Sequence, residues 1–589
     1  MIAVNRRKFL GAGAGGMGLL GLAGAMPAWA RGADILAGNA RKGLDEISGP
    51  NIDLTVARSA FATGNRRGGA IAVNGTIPGP LLRLQEGTTV RLNVHNQLEE
   101  DTSIHWHGLL VPFQLDGVPG VSFPGVKPGE TFTAEFPVRQ SGTYWWHSHS
   151  GLQEQAGHYG AIVIDPAGPD PVQADREYIV VLSEFSEMSP HTIFDKLKKG
   201  EGYFNYNQNT WTDDYPLSGE DRRMWAKMRM MPTDILDVSS AAYTYLLNGH
   251  GPLDNLEYLF RPGERVRLRF INAGAMTFFN IRIPGLPMTI VQADGQNVEP
   301  VEVDEFQIGV AETYDVVVTP GAQQAYTLVA ESMDRSGMGI ATLASAPGAR
   351  AAIPPLRDPP LLTMADMGMS GMDHGSGGDM AGMDHGSSGQ SEMAGMAGMS
   401  GMQMRDTSLL PPDVKVGPGL DMVSMNPVDR MGDPGIGLAD VPHRTLDYRK
   451  LRALTPHREG RTPSRRMEIH LTGNMERYMW SFDGKKFSAV SDEPIRFAYN
   501  ERVRVKLVND TMMAHPIHLH GHFFELVNGA PADRQPLKHT VILQPGGSAQ
   551  FDLTADEPGD WAFHCHLLYH MHAGMFQIVT VANPDGSEA

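Results

Sequence analysis

Four short segments carry histidine at spacings that concentrate imidazoles. They are His105-Trp106-His107-Gly108, His147-Ser148-His149, His515-Pro516-Ile517-His518-Leu519-His520, and His564-Cys565-His566 followed by His570 and Met575. Ten of the 22 histidines and the only cysteine fall within them. A single His-x-His is a weak signal, because histidines often end as satisfied core or surface residues. Four such segments in one chain specify a metal site. On a strand, side chains at i and i+2 point to the same face. Each His-x-His therefore aims two imidazoles at one place, and Cys565 points away from His564 and His566. One strand thus links two centres. On one side, the Cys565 thiolate with His515 and His570 makes a trigonal set, and Met575 is placed as a weak axial ligand. That is the blue-copper arrangement of electron-transfer sites. On the other side remain His105, His107, His147, His149, His518, His520, His564 and His566. Eight imidazoles suit three copper ions sharing two, three and three ligands. They come from the two ends of the chain, so the fold must bring those ends together with the middle as a spacer.

The elements that position them appear as a threefold repeat. Val73-Asn74-Gly75 precedes Gly87–Asn96, Leu247-Asn248-Gly249 precedes Gly263–Asn272, and Phe482-Asp483-Gly484 precedes Asn500–Asn509. Each copy is a turn signal followed by a strand with apolar residues at alternate positions. Further strands are expected at Thr131–Phe136, Tyr314–Val318 and Ala549–Leu553. Many short strands between Gly/Pro turns indicate β-sandwiches. The chain is read as all-β, with three tandem sandwich domains. Helical periodicity is scarce; the best candidate spans 218–230, with Ser218 as cap and Asp221 completing the capping pair.

The composition bounds the rest. The 589 residues hold 49 Lys+Arg and 67 Asp+Glu, a net charge of −18, which argues against a nucleic-acid partner. One cysteine excludes an internal disulfide and a Cys-rich zinc site. Residues 1–30 read as a cleaved export signal ending at Ala28-Trp29-Ala30, and Arg6-Arg7 before Phe9-Leu10 resembles the twin-arginine type. The mature protein is expected to be periplasmic, without membrane insertion, after passage through the twin-arginine export machinery. Between the second and third repeats, residues 364–404 hold 11 of the 33 methionines, spaced by Gly, Ser, Ala, Asp and His. This segment is too poor in branched and aromatic residues to form a core. A plain linker gains nothing from methionine, whereas thioether sulfur suits Cu(I). His374 and His385 sit in Asp-His-Gly repeats within it, as potential Cu(II) ligands. Met224, Met228 and Met231, with Met230 adjacent, would share a helix face, which is ordinarily core packing and alternatively a second Cu(I) site.

With these segments the sequence resembles the multicopper oxidases over nearly all of the mature chain. Within them it is most similar to the bacterial copper-resistance proteins of the CopA/PcoA type. The matching segments are Asp116–Gly125 (DGVPGVSFPG), His147–Gln155 (HSHSGLQEQ), His564–His570 (HCHLLYH) and the Met-rich insert. The resemblance implies three Greek-key cupredoxin-like domains over 50–168, 172–347 and 431–589, with a Met-rich linker over 348–430. It implies four copper ions. A type 1 ion would take His515, Cys565, His570 and axial Met575, and a type 2 ion His105 and His518. A type 3 pair would take His107, His147 and His566 on one ion, and His149, His520 and His564 on the other. Extra Cu(I) would bind at 364–404. The implied activity is oxidation of Cu(I) to Cu(II) with reduction of O2 to water, for copper resistance, by a monomer. Alternatives are a copper-sequestering protein and a laccase-like oxidase of phenols. Electrons would enter near His515 or His570 and pass through Cys565. Asp116 matches the family's acid near the cluster and is expected to hold protons or water there. Glu557 is a weaker candidate for that role. Relatives often carry an acid just after the last type 1 histidine. Here Met571 and then His572 follow, so that proton route does not transfer.

Overall fold

The computed structural model describes residues 40–208, 217–227, 231–363, 365–368, 410–457, 459–487 and 493–587. The export signal 1–30 and most of the Met-rich insert, with His374 and His385, lie outside them. So does part of the expected methionine face over 224–231. No helix among the described residues is long and apolar enough to cross a membrane.

The chain forms three consecutive units, each of two facing β-sheets. In each unit the repeat strand pairs in parallel with the first long strand: Thr89–Asn96 with Asn51–Thr63, Val266–Asn272 with Arg176–Phe185, and Glu501–Asn509 with Arg465–Asn474. The turn signals take one backbone form in all three copies. Asn74, Asn248 and Asp483 have φ of 51°, 49° and 49°, and the glycines after them 76°, 77° and 76°. This left-handed pair matches the twist of a tight hairpin, which is why Asn/Asp-Gly occurs there. At Gly249 the need for glycine is absolute, since a Cβ would lie 2.2 Å from the Ile77 carbonyl oxygen of the first unit.

The asparagine that closes each repeat strand also does one job three times. Asn96 donates its amide to the carbonyls of Glu100 and Val126, Asn272 to Thr277 and Ile308, and Asn509 to Met513 and Leu543. Each Oδ1 accepts the amide two residues on, from Leu98, Gly274 and Thr511. A buried loop leaves backbone groups that the sheets do not pair, and one carboxamide satisfies three of them.

One expectation holds as far as it is described, and one changes. The helix capped by Ser218 runs over Gly219–Lys227, and the expected residues 228–230 lie outside the described ones; Ser218 Oγ accepts the Asp221 amide at 3.1 Å, as a capping residue should. The middle repeat strand is buried on both faces rather than alternately. On its polar face Arg269 meets the first unit and Arg267 meets Asp170 of the segment between the units. They stay buried because Asp315 pairs with both, at 2.6 and 2.9 Å, while Arg269 also donates to Thr143 of the first unit.

Candidate metal centres

The histidine segments occupy matching strands of the two outer units. His105–His107 runs antiparallel to Gly142–His147 with His105 opposite His147, and His515–Leu519 runs antiparallel to Gly559–Cys565 with His518 opposite His564. Alternation turns the imidazoles of each pair toward the seam between first and third units. There the rings of His105 and His520 stack at 3.8 Å, as do those of His107 and His518. His107 and His566 lie 5.0 Å apart, and His149 and His564 5.1 Å.

Three ligand groups result, with nitrogens mutually within 4.8 Å: His105, His107 and His518; His107, His147 and His566; His149, His520 and His564. The structure brings together all eight histidines that the sequence placed in one cluster. Seven are buried and His149 is half-buried. Burial, followed by neighbouring imidazoles, holds His107, His147, His149, His518, His520 and His566 well below the usual imidazole range and His564 down to about 4. The rings are therefore neutral, with lone pairs free for a metal.

Their other nitrogens are fixed. His105 Nδ1 donates to the Asp116 carbonyl at 2.7 Å, His518 Nδ1 to the His539 carbonyl at 2.7 Å, and His564 Nδ1 to the Cys565 carbonyl at 3.0 Å. His520 Nδ1 donates to the Asp116 carboxylate at 2.8 Å, and His147 Nδ1 lies 2.6 Å from Glu154 Oε2. Gly117 allows Asp116 to sit there, because a Cβ at residue 117 would fall 1.9 Å from the Ile104 carbonyl oxygen. Left over, buried and without a hydrogen bond, are Nε2 of His105, His147, His149, His518 and His566. At His107 the ring is reversed: Nε2 lies 3.4 Å from Thr540 Oγ1 and Nδ1 is unpartnered. Buried, unpaired imidazole nitrogens converging on one seam are expensive unless a metal takes them.

The second centre lies on the other face of the Gly559–Cys565 strand. Cys565 Sγ is 3.5 Å from His515 Nδ1 and 3.9 Å from His570 Nδ1, and those two nitrogens are 3.2 Å apart. The Cys565 amide donates to the Met575 carbonyl at 3.1 Å, which draws the buried Met575 in beside it. Burial pushes the Cys565 thiol up, so in this pocket a thiolate needs a cation beside it. His515 Nε2 meets Thr511 Oγ1 at 2.7 Å. His570 Nε2 donates to Asp237 Oδ2 at 2.7 Å, Tyr478 donates to the same oxygen at 2.6 Å, and Trp480 stacks on His570 at 3.8 Å. Two imidazoles, one thiol and a thioether residue suit copper.

Multicopper oxidase family profiles match residues 56–168, 206–347 and 460–585. The chain belongs to the multicopper oxidases. It is 47% identical to copper resistance protein A of Escherichia coli, covering 99% of this chain and 100% of that one. It is 46% identical to copper resistance protein A of Pseudomonas syringae pv. tomato, covering 98% and 99%. Among solved structures, Fet3p, a multicopper oxidase that functions in iron import, aligns with a TM-score of 0.63 at 18% identity, over 91% of this chain and 90% of its own. An oxidase that uses O2 and holds copper follows from this membership and these ligand groups, on a cupredoxin-like fold.

As a multicopper oxidase the chain departs from its sequence reading in one respect. The middle unit is not merely a spacer, because it supplies Asp237 to His570. Nothing in the sequence flagged Asp237, which lies in an irregular loop outside the repeat. Glu154 was legible only as part of the HSHSGLQEQ segment; the turns over 151–157 fold it back onto His147. Glu557 lies at the seam's rim, where it pairs with Arg139 at 2.7 Å and its amide reaches His522 Nε2 at 3.4 Å. Met571 is half-buried and His572 is exposed, in edge contact with Phe194 at 4.9 Å.

Proposed function

We propose that this multicopper oxidase is a periplasmic cuprous oxidase for copper resistance. It would convert Cu(I) to Cu(II) while reducing O2 to water. The observation that carries the reading is the strand Gly559–Cys565: Cys565 faces one ligand group and His564 faces the other, with His566 next in the chain. In this reading His515, Cys565, His570 and Met575 hold the type 1 ion, His105 and His518 the type 2 ion, and the two remaining histidine triplets the type 3 pair. Copper bound there supplies one-electron oxidation at the first position and four-electron reduction of O2 at the cluster.

The chain's own residues do the rest. Cys565 is one peptide unit from His564 and His566, and the His564 hydrogen bond to the Cys565 carbonyl shortens the route further. Asp116 ties His105 of the first unit to His520 of the third and stands beside the cluster as an acid to hold protons for water formation. Four Cu(I) ions give up four electrons, and O2 takes these with four protons to make two waters. Asp237 puts a carboxylate beside the type 1 imidazole, which favours a cationic reductant. Both type 1 imidazoles are fully buried, so a bulky phenol has no direct edge to touch. The names of the E. coli and Pseudomonas relatives and the Met-rich tract support copper as the substrate, and the first thirty residues support the periplasm.

The test is O2 consumption by the copper-loaded mature protein with Cu(I), beside a deletion of 364–404 and with a phenol in parallel. Loss of Cu(I) turnover with phenol turnover kept supports a cuprous oxidase fed by the methionine segment. Unchanged Cu(I) turnover assigns that segment to storage. No turnover of Cu(I) by either protein overturns the reading.

A further inference from the structure

On the middle unit's side of the histidine cluster lies a charged group that the proposed electron route does not use. Lys538 Nζ is 3.1 Å from Asp294 Oδ2 and 3.0 Å from Glu312 Oε1, and all three side chains are fully buried. Tyr448 donates to Glu312 Oε1 at 2.7 Å, and Nζ sits 5.1 Å from the Tyr314 ring centre and 5.5 Å from that of Tyr448. Burying a lysine between two acids is seldom worth more to stability than an apolar packing of the same volume. The arrangement therefore calls for another use.

Asp294 shows what that use is. It forms, with Gly295, the tip of the hairpin joining Met288–Ala293 to Gln296–Val303, both residues having positive φ, 47° and 73°. The tip is driven into the junction of all three units: a Cβ on Gly295 would lie 2.3 Å from the Tyr144 ring of the first unit. The oxygen that meets Lys538 also accepts the backbone amides of His539 and Thr540 of the third unit, at 3.2 and 3.1 Å. Those two residues hold the cluster's histidines. The His539 carbonyl takes His518 Nδ1, and Thr540 Oγ1 lies 3.3 Å from His518 Nδ1 and 3.4 Å from His107 Nε2. Thr540 is thus the residue that leaves Nδ1, not Nε2, as the free nitrogen of His107.

We propose that the Lys538–Asp294 pair is a positioning device for the cluster. Through the amides of His539 and Thr540, the middle unit sets the tilt of His518 and the choice of nitrogen at His107, and so controls how tightly the type 2 position keeps its copper. The inference rests on the ligand assignment proposed above. Neither Lys538 nor Asp294 touches a ligand histidine.

The experiment uses full-length, copper-loaded protein. Lys538→Met and Thr540→Val are compared with His518→Ala as the ligand control. Copper per chain, the type 2 paramagnetic resonance signal and the type 1 blue absorbance are measured during chelator challenge. Both positioning variants should keep the blue absorbance and hold type 2 copper about 10- to 100-fold more weakly. Thr540→Val is nearly isosteric and uncharged, so it decides the matter if Lys538→Met fails to fold. A full type 2 signal with unchanged hyperfine splitting in Thr540→Val overturns the inference. Parallel loss of type 1 and type 2 signals also overturns it, because the pair would then support only the fold. If His518→Ala itself keeps type 2 copper, the ligand assignment has failed instead.

Discussion

The outer units and the middle unit share one scaffold and divide the work. All three use the same left-handed hairpin turn and the same buried asparagine bridging two carbonyls. In the third unit's five-stranded sheet, the strand between Gly559–Cys565 and Thr540–Leu543 carries His515 and His518; in the middle unit the matching strand is Phe279–Arg282, between Ala325–Ser332 and Glu305–Ile308. Those positions hold Phe279, Asn280, Ile281 and Arg282, and no imidazole. The middle unit instead sends acids outward, Asp237 to His570 and Asp294 to the backbone that braces His518. The scaffold specifies the sandwich, and a few side chains on matching strands decide whether it binds metal or braces a neighbour that does.

Breaking the contrast at its strongest point means removing the thiol. Cys565→Ser should abolish both the blue absorbance and turnover, while the protein stays folded by circular dichroism; retained blue colour would sink the assignment. His149→Ala should separate the two centres: blue colour persists, O2 reduction stops, and metal analysis shows copper missing from the cluster. Asp237→Asn asks whether the middle unit matters to chemistry. A second partner of a metal-bound histidine is worth about 10- to 100-fold, so Cu(I) oxidation should fall by that order with copper content unchanged. An unaltered rate would reduce the Asp237 contact to packing between units. The smallest expected effect sharpens the other half of the comparison. Asn272→Ala leaves two buried carbonyls without donors and should destabilise by about 1–3 kcal/mol, read as a lower Tm, with blue colour intact. Asn96→Ala and Asn509→Ala should destabilise by a similar amount if the three asparagines are equivalent.

Much of this was legible before any coordinates. The i, i+2 spacing of the histidines is a strand property, so the sequence placed both faces of the Cys565 strand and gathered eight histidines at one seam. Asn-Gly and Asp-Gly turns likewise marked the three units. What the sequence did not show depends on contacts between units. Asp237 sits in a loop without period or motif, and its role exists only because the third unit's His570 abuts it. The reversal of the His107 ring depends on Thr540, 433 residues away along the chain. Arg267 and Arg269 read as a solvated face because alternation cannot tell water from a partner strand that offers Asp315 and a neighbouring unit that offers Thr143.

Asp116 and His520, joined by one hydrogen bond, are 404 residues apart in the chain. The cluster is assembled from residues 105–149 and residues 518–566, so neither half can begin as a complete copper site. A chain truncated before its last fifty residues, or one whose third unit has not closed on the first, offers only fragments of the eight-histidine cluster. Loading is thereby coupled to complete synthesis and correct docking of the units. The cluster's metal is withheld from unfinished molecules by the order in which the chain is written.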